Sequence, residues 1–227
     1  MHFLFEPQDG YYSLTSLGFS LFVLLMVLIV VSIALISGKR RTTEQSAFST
    51  KQVAYSGMAL ALAFALSYIK LFHMPWGGSV TLCSMLFVVL IGYWYGPKVG
   101  LLGALAYSIL QFVQGGGGYI LSFWQVMFDY FLAFTALGVA GFFYKKKNGL
   151  LIGYVVAVCL RGIFHSVGGY LYWMEYMPDN FPKALSAVYP ILYNFAYIGV
   201  ECLITVALLL IPPVKNAIKQ VTRDAQI

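Results

Sequence analysis

The chain has 227 residues, of which 60% are hydrophobic and 10% are charged, and its mean hydropathy is +0.81. These values lie far from those of soluble globular domains, so the composition predicts an integral membrane protein. The formal net charge is +6. The basic residues lie in short segments between apolar runs and do not form a basic stripe with interleaved aromatic residues, so nucleic acid is not an expected partner.

Seven apolar segments reach or approach the roughly 20 residues that a membrane-spanning helix requires. They are residues 17–36, 53–72, 80–95, 99–113, 119–143, 150–173 and 187–211. The first is expected to be a retained anchor rather than a signal peptide, because its apolar run is long and Lys39, Arg40 and Arg41 come after it. The sequence therefore predicts an all-α membrane protein with seven spans. An N-terminal anchor helix and a basic cytoplasmic linker occupy residues 1–51, and a six-helix membrane domain occupies residues 52–227.

The loops predict the orientation of the chain in the membrane. When they are assigned alternately to two sides, 11 of the 14 basic residues fall on one side, which the positive-inside rule identifies as the cytoplasm. The amino terminus is then outside the cell and the carboxyl terminus inside, in a multi-pass protein of the cell membrane. We find no internal repeat, so an inverted-repeat secondary transporter is not favoured. The three cysteines lie singly in apolar segments, and no metal site or cofactor is expected.

Three charged residues lie inside predicted spans, where a charge is costly and indicates a functional role. At a rise of about 1.5 Å per residue, Asp129, Arg161 and Glu201 all fall near mid-depth and can meet. Arg161 and Glu201 are predicted to form an ion pair that supports the site, although such a buried pair can also serve only to fix helix register. Gln125, one turn before Asp129, and Tyr130 beside it extend a polar stripe, which favours a ligand role for Asp129.

The sixth span carries a candidate pocket wall. His165, Gly169 and Tyr172 lie on one helix face, at spacings of four and seven residues. A glycine beside a histidine leaves room for a flat ligand ring. The alternative interpretation is a hydrogen-bonded core histidine, with glycines that permit close helix packing.

Aromatic and polar side chains gather in the predicted outer half of the membrane. In the last span, Asn194 shares a face with Glu201, and Tyr189 lies beside an expected kink at Pro190. The whole group is Trp76, Tyr119, Trp124, His165, Tyr172, Trp173, Tyr189 and Asn194. Aromatic faces with one carboxylate, one imidazole and one amide suit a flat, nitrogen-rich cation. No nucleophile–base pair or metal-ligand spacing is present, so the chain is not expected to be an enzyme.

Several motifs occur in an order that matches a known family. They are residues 74–85, 95–103, 119–122, 125–134, 137–141, 161–169 and 189–194. In this order, over about residues 52–211, the sequence resembles the thiamin-specific S components of energy-coupling factor (ECF) transporters. The resemblance implies six helices around an outward-facing pocket for thiamin. It also implies a partner module, made of one membrane scaffold subunit and two cytoplasmic ATPases, with which the S component topples to carry its vitamin inward.

The resemblance also implies roles for individual residues. Asp129 stands where the family has an acidic residue near the cationic thiamin, with Tyr130 after it, and Arg161 is expected to pair with this acid. The remaining expected substrate contacts are Trp76 on a mobile lid, Tyr119 as an aromatic wall, and His165, Gly169, Trp173, Tyr189 and Asn194 around the two rings and the hydroxyethyl tail. Two alternatives stay open. One is an S component for pyridoxine or a thiamin precursor, and the other is a stand-alone secondary transporter with a proton relay through Asp129, Arg161, His165 and Glu201.

The first body helix has small residues at Gly57 and Ala61, and such a face permits close helix contact. In the resembled family this face docks on the scaffold subunit; packing within the chain is the alternative. The sequence also departs from the family pattern at three places. The anchor helix has no counterpart and no predicted role, Phe131 stands where relatives often have proline, and residues 115–118 are four consecutive glycines.

Overall fold

A computed structural model describes residues 3–39, 48–75 and 77–226. Trp76, the expected lid residue, lies outside the described residues, as does most of the predicted cytoplasmic linker. The helices are α1 (Ser16–Lys39), α2 (Thr50–Ser67), α3 (Ser84–Tyr95), α4 (Pro97–Gln111), α5 (Phe123–Phe143), α6 (Gly149–Tyr172), α7 (Tyr189–Leu210) and α8 (Pro212–Gln226). Two antiparallel hairpins pair β1 (Phe5–Gln8) with β2 (Tyr11–Leu14) and β3 (Lys70–His73) with β4 (Ser79–Thr81).

Three segments in the described part of the chain are long and apolar enough to cross a membrane. These are α5, α6 and Lys183–Leu210, which contains α7. Helices α3 and α4 have 12 and 15 residues, fewer than the roughly 20 that a span requires. The protein is therefore mostly helical with three candidate spans, and the total of seven stays a prediction.

The second hairpin corrects the ends of two predicted helices, while the protein is mostly helical as predicted. Segments 53–72 and 80–95 were expected to be helical throughout, but α2 ends at Ser67 and α3 begins at Ser84. The chain between them turns at Gly77 and Gly78, whose φ angles of +95° and +83° favour glycine. A smaller correction concerns Pro190. It lies in the first turn of α7, where its missing N–H needs no helical partner, so it does not kink the helix.

Helices α3, α4 and α5 meet at a crossing built from glycines. A Cβ on Gly138 would lie 2.5 Å from the carbonyl oxygen of Gly100, and one on Gly92 would lie 2.8 Å from the backbone nitrogen of Gly141. The three backbones can approach this closely because no side chain separates them. This crossing holds α5 against the core of the bundle and so fixes the helix that carries Asp129.

Helix α6 lies between α5 and α7. On one side Gly153 packs against Ala140 of α5, and on the other Gly162 packs against the ring of Phe195 in α7. The amphipathic α8 lies against α3, since the indole N–H of Trp94 donates a hydrogen bond to Thr222 over 3.0 Å. The body is thus one packed unit, in which α6 is the neighbour of both α5 and α7.

Candidate substrate-binding site

A cavity of about 420 Å³ opens among α5, α6, α7, the loop before α5 and the β3–β4 hairpin. Its volume lies within the range of roughly 300–1,000 Å³ that is usual for small-molecule sites. The lining residues are polar or aromatic for the most part: Ser67, Lys70, His73, Gly77, Gly78, Ser79, Thr81, Gln111, Gln114, Gly115, Tyr119, Gln125, Asp129, Tyr130, Phe134, Arg161, His165, Gly169, Trp173, Tyr176, Tyr189, Pro190, Tyr193, Asn194 and Tyr197.

The structure brings together most of the residues expected at the site. Eight expected substrate contacts line this one cavity: Tyr119, Asp129, Tyr130, His165, Gly169, Trp173, Tyr189 and Asn194. Arg161 lines it as well. Trp124 and Tyr172, which the sequence groups with them, do not line it, and the side chain of Trp124 is 61% exposed on the outside of the bundle. Trp124 is grouped with the site by its depth in the membrane, which does not determine the face on which a side chain lies. Tyr172 is grouped by helical spacing as well, but it is the last residue of α6 and does not line the cavity.

The carboxylate of Asp129 is held in place by hydrogen bonds from two side chains. Residues 127–132 of α5 form a π-helical turn, a local widening that often occurs at functional sites, and Asp129 lies within it. Its Oδ2 accepts hydrogen bonds from Nε2 of Gln125 and from Nε1 of Trp173, both over 2.9 Å. Its Oδ1 lies 3.9 Å from Nδ1 of His165. The carboxylate is therefore oriented by its neighbours and remains partly accessible from the cavity.

Gly168 allows the Asp129 carboxylate to lie directly against α6. A Cβ at position 168 would be 2.6 Å from Oδ1 of Asp129, closer than real Cβ contacts come. The sequence singles out Gly169 instead, and a Cβ there would lie 2.9 Å from Pro190 of α7. Both glycines therefore matter, Gly168 for the carboxylate and Gly169 for the contact between α6 and α7.

Two cationic or potentially cationic side chains line the cavity. His165 lies beside the carboxylate, whereas the expected pairing of Arg161 with Asp129 does not form, since no ion pair joins these two described residues. Nε2 of His165 and Nε of Arg161 are buried, and neither has a hydrogen-bond partner within residues 3–39, 48–75 and 77–226. The guanidinium of Arg161 lies 4.4 Å from the ring centre of Phe134, a cation–π distance. Buried polar atoms are nearly always hydrogen-bonded in folded proteins. Within the wall of the cavity, these two buried atoms are therefore polar positions that the described part of the protein leaves unpartnered.

The expected ion pair between Arg161 and Glu201 does not form. Glu201 is almost fully buried, and its Oε2 accepts hydrogen bonds from the backbone N–H of Thr81 over 2.9 Å and from the Thr81 hydroxyl over 2.7 Å. Its Oε1 accepts from Ser84 and from the backbone N–H of Met85. The positive end of the α3 dipole and its free N–H groups thus satisfy this carboxylate. Glu201 supports the site by fixing the β3–β4 hairpin to α3 and α7.

Aromatic rings form one wall of the cavity. The rings of Tyr119 and Trp173 are stacked, with centroids 5.7 Å apart and planes at 28°. The hydroxyls of Tyr119 and Tyr176 lie 2.8 Å apart. This hydrogen bond with Tyr176 is the main cause that raises the pKa of Tyr119 to about 12. The Tyr119 phenol is therefore neutral at physiological pH and offers a stacking surface rather than a charge.

Asn194 and Tyr189 are tied to neighbouring parts of the protein. The Asn194 amide donates to the backbone carbonyls of Pro190 over 2.8 Å and His165 over 3.2 Å, and it accepts from the hydroxyl of Tyr197 over 3.0 Å. The Tyr189 hydroxyl donates to the carbonyl of Tyr176 over 3.4 Å. Asn194 therefore joins α6 to α7 across the floor of the site.

Several lining residues are not anticipated from the sequence. Opposite the carboxylate, Gln111 donates to Ser67 over 3.2 Å and to Gln114 over 2.8 Å, which makes a polar shelf on α4 and α2. The Tyr193 hydroxyl donates to the carbonyl of Gly77 over 3.0 Å and so joins the β3–β4 hairpin to α7. The sequence feature that could have predicted this shelf is the pair of uncharged amides, Gln111 and Gln114, at the end of an apolar segment.

With this geometry in view, comparison with known proteins identifies the family. The sequence model of the family described as thiamine transporter protein (Thia_YuaJ) matches residues 53–221, about three quarters of the chain. The chain belongs to the thiamine transporter protein family. The match contains the helical body and every residue of the cavity, whereas β1, β2 and α1 lie before it.

Individual relatives agree with this assignment. This thiamine transporter family member is 30% identical to the thiamine transporter ThiT of Bacillus subtilis (strain 168) over 137 residues, which are 55% of this chain and 69% of that protein. A solved structure of ThiT from Listeria monocytogenes, obtained by native-SAD phasing, is 22% identical and has a TM-score of 0.55 over 71% of this chain and 94% of that chain. The second comparison shows a shared fold.

Family membership supports two of the expectations from the sequence. The thiamine transporter family comprises membrane transporters rather than enzymes, so this member is a membrane protein without catalytic activity, as its composition and motifs predict. The resemblance to thiamin-specific transport proteins is likewise confirmed by the family match and by ThiT.

Proposed function

We propose that this family member captures thiamin from outside the cell and carries it across the membrane as the substrate-specific S component of an ECF-type importer. The observation on which the proposal depends is the oriented carboxylate of Asp129 within an aromatic-walled cavity. Thiamin contains a positively charged thiazolium ring joined to an aminopyrimidine. A single carboxylate at van der Waals distance from such a ring balances its charge, and rings such as Tyr119 and Trp173 can stack on both heterocycles.

The polar atoms of the cavity suit the rest of the ligand. The side chains of His165 and Arg161 line the cavity and supply N–H groups for the pyrimidine nitrogens or the hydroxyethyl oxygen. The polar shelf of Ser67, Gln111 and Gln114 offers further donors and acceptors across the cavity. We assign Tyr130, Gly169, Tyr189 and Asn194 to the walls that enclose the two rings, and we keep Trp76 as the expected lid residue.

The proposed topology has seven spans, with the amino terminus outside and the carboxyl terminus in the cytoplasm. In this orientation the cavity opens to the outside. Accumulation of a ligand inside the cell against its gradient needs an energy source, and we propose that a scaffold subunit with two cytoplasmic ATPases supplies it. The face of α2 supports docking: Gly57 and Ala61 are exposed, and no described residue lies within 4 Å of a Cβ built on Gly57.

Binding to the purified full-length chain tests the substrate. Thiamin, pyridoxine and riboflavin are titrated in detergent while intrinsic tryptophan fluorescence is followed, with Asp129→Ala and His165→Ala alongside. Asp179→Ala serves as the matched control, since Asp179 is an exposed acid in the loop before α7. Tight thiamin binding that is lost in the two site variants and kept in the control supports the proposal. A preference for pyridoxine, or no binding, overturns the substrate and leaves the family assignment intact.

Transport in vesicles tests the partner. Vesicles that contain the chain together with an ECF module should accumulate thiamin with ATP, and vesicles that contain the chain by itself should not. Accumulation by the chain by itself under a pH gradient would instead identify a proton-coupled secondary transporter.

A further inference from the structure

The amino-terminal hairpin lies against the rim of the cavity. Tyr12 and Ile120 exchange two backbone hydrogen bonds of 2.7 and 2.8 Å, and the N–H of Leu14 donates to the carbonyl of Gly117 over 3.0 Å. Strand β2 is therefore joined through its backbone to the loop before α5. This loop carries Tyr119, an aromatic wall of the cavity.

A continuous series of ring contacts runs from the hairpin to the carboxylate. The ring of Tyr11 stacks on Tyr119, with centroids 4.3 Å apart and planes at 26°. Tyr119 stacks on Trp173 at 5.7 Å, and Trp173 donates its indole N–H to Asp129. Tyr11 contacts Tyr119 and is not itself a lining residue. The position of the Tyr119 ring thus depends on a residue outside the family match.

Helix α1 adds a second contact between the amino-terminal segment and the body. The ring of Phe22 lies 4.6 Å from Phe112 and 6.2 Å from Phe131, centroid to centroid. A Cβ on Gly117 would lie 2.6 Å from the ring of Phe19, so a glycine is needed there for α1 to pack. Phe112, Phe131 and Gly117 are therefore positions of the body that contact α1.

The hairpin is also fixed to the start of α1. The Thr15 hydroxyl accepts a hydrogen bond from the N–H of Gly18 over 2.9 Å and donates to the carbonyl of Phe3 over 2.9 Å, which is the geometry of an N-cap. The carbonyl of Leu4 lies against Gly18, where any Cβ would collide with it. The hairpin therefore keeps one orientation relative to α1, and α1 keeps it over the loop that carries Tyr119.

We infer that residues 3–14 support the substrate-binding site from outside, with Tyr11 as a positioning residue that holds Tyr119 against the bound vitamin. This inference rests on the proposed function of the cavity. It assigns a role to the additional amino-terminal segment: the segment completes the aromatic wall from outside the six-helix body. A stacked aromatic pair contributes more than the area it buries, and its loss corresponds to a change in affinity of about threefold to tenfold.

Thiamin affinity and dissociation rate of full-length variants test the role of Tyr11. Tyr11→Ala should weaken binding about threefold to tenfold through faster dissociation, and Tyr11→Phe, which keeps the ring, should restore it. Tyr12→Ala is the matched control, since Tyr12 is adjacent and 51% exposed. Unchanged binding in Tyr11→Ala, equal losses in Tyr11→Ala and Tyr12→Ala, or failure of Tyr11→Phe to restore binding would each overturn the inference.

A cross-link tests the docking of the hairpin without any ligand. Residues that exchange both backbone hydrogen bonds have Cα atoms about 5.5 Å apart, a distance that a disulfide can span. The double variant Tyr12→Cys/Ile120→Cys should therefore form a disulfide on mild oxidation in membranes and lose two titratable thiols, whereas each single variant loses none. No cross-link would overturn the docked hairpin. If the unsubstituted chain binds no thiamin but the cross-link forms, the proposed function fails while the docking stands.

Discussion

The indole N–H of Trp173 donates a hydrogen bond to Oδ2 of Asp129 over 2.9 Å, across 44 residues of sequence. The same indole ring stacks on Tyr119 and so belongs to the aromatic wall. Trp173 therefore has two separable roles, one as a ring and one as a donor. The carboxylate and the wall are mechanically linked, because a movement of the ring changes the orientation of the acid.

Removal of the charge of Asp129 should weaken thiamin binding without disturbing the fold. Asp129→Asn keeps an oxygen acceptor for Trp173 but no longer balances the thiazolium charge. Hydrogen bonds and contacts to charged groups contribute about 1.5–3 kcal/mol, so we expect about tenfold to hundredfold weaker binding. Titration of the purified protein measures the change, with Asp179→Asn as the control. An Asp129→Asn protein that binds thiamin as tightly as the unsubstituted chain would remove Asp129 from the site.

The donor role of Trp173 can be tested apart from its ring. Trp173→Phe keeps an aromatic face and removes the N–H that orients the Asp129 carboxylate. We expect a loss of affinity of about threefold to tenfold. The lost hydrogen bond orients the carboxylate and contributes about 0.5–1.5 kcal/mol, while the charge of Asp129 and its hydrogen bond from Gln125 remain. Trp173→Ala should cost more, because the stack on Tyr119 is lost as well. Trp124→Phe, at an exposed position, is the control, and binding is followed calorimetrically. Equal effects of Phe and Ala at position 173 would contradict a separate donor role.

A methyl group at position 168 should displace the carboxylate. The Cβ of Gly168→Ala would lie 2.6 Å from Oδ1 of Asp129, so either the acid or α6 must move. We expect at least about tenfold weaker thiamin binding, because a displacement near 1 Å at a site can cost about a hundredfold. Gly199→Ala is the matched control, with no heavy atom within 4 Å of its Cβ in the described structure. If both alanine variants bind alike, Gly168 is not needed for the position of the carboxylate.

Much of the site is predictable from the sequence because its determinants are local. Asp129 and His165 are polar residues in apolar helices, where burial is costly enough to indicate function. Residues four positions away, Gln125 and Gly169, then indicate the helix face that lines the cavity. The partner of Glu201 is not predictable in this way. Its carboxylate accepts hydrogen bonds from backbone N–H groups at and just before the start of α3. Free backbone N–H groups exist at the start of every helix, so the pattern of side chains in the sequence does not identify which of them binds a carboxylate.

The role of the amino-terminal segment is unpredictable for a different reason. Its contacts are long-range stacking of Tyr11 on Tyr119 and a backbone bridge from Tyr12 to Ile120. Backbone pairing between distant segments depends on the tertiary fold, and no periodicity signals it. The short hairpin of β3 and β4 was not predicted, because its residues continue the apolar runs of the flanking helices. A search for apolar segments of about 20 residues therefore assigns the hairpin residues to the helices on either side.

Neutralisation of Glu201 should lower stability. In Glu201→Gln the amide nitrogen must face donors at Thr81, Ser84 or Met85 in place of an acceptor. A buried donor left unsatisfied costs about 1–3 kcal/mol, so the temperature of thermal unfolding in detergent should fall by several degrees. Glu175→Gln, an exposed residue in the loop after α6, should leave it unchanged. An unaltered unfolding temperature in Glu201→Gln would show that the carboxylate is not needed to hold the β3–β4 hairpin.

A bulky side chain on the small-residue face of α2 should slow thiamin transport and leave thiamin binding unchanged. Gly57 and Ala61 face away from the bundle, so Gly57→Leu leaves the cavity intact and blocks close approach of a partner helix. We expect unchanged thiamin affinity in detergent and at least about tenfold slower ATP-dependent uptake in vesicles with the ECF module.

The control for this face is Gly199→Leu on α7, where the new side chain also enters open space in the described structure. It should bind thiamin and support uptake at the unsubstituted rate, because the added bulk lies on another helix. Normal uptake by Gly57→Leu would show that α2 does not dock through this face. Weaker thiamin binding by Gly57→Leu would show instead that the substitution reaches the cavity through the packing of α2 on α3. The ratio of uptake to binding therefore decides between a partner surface and an internal packing surface.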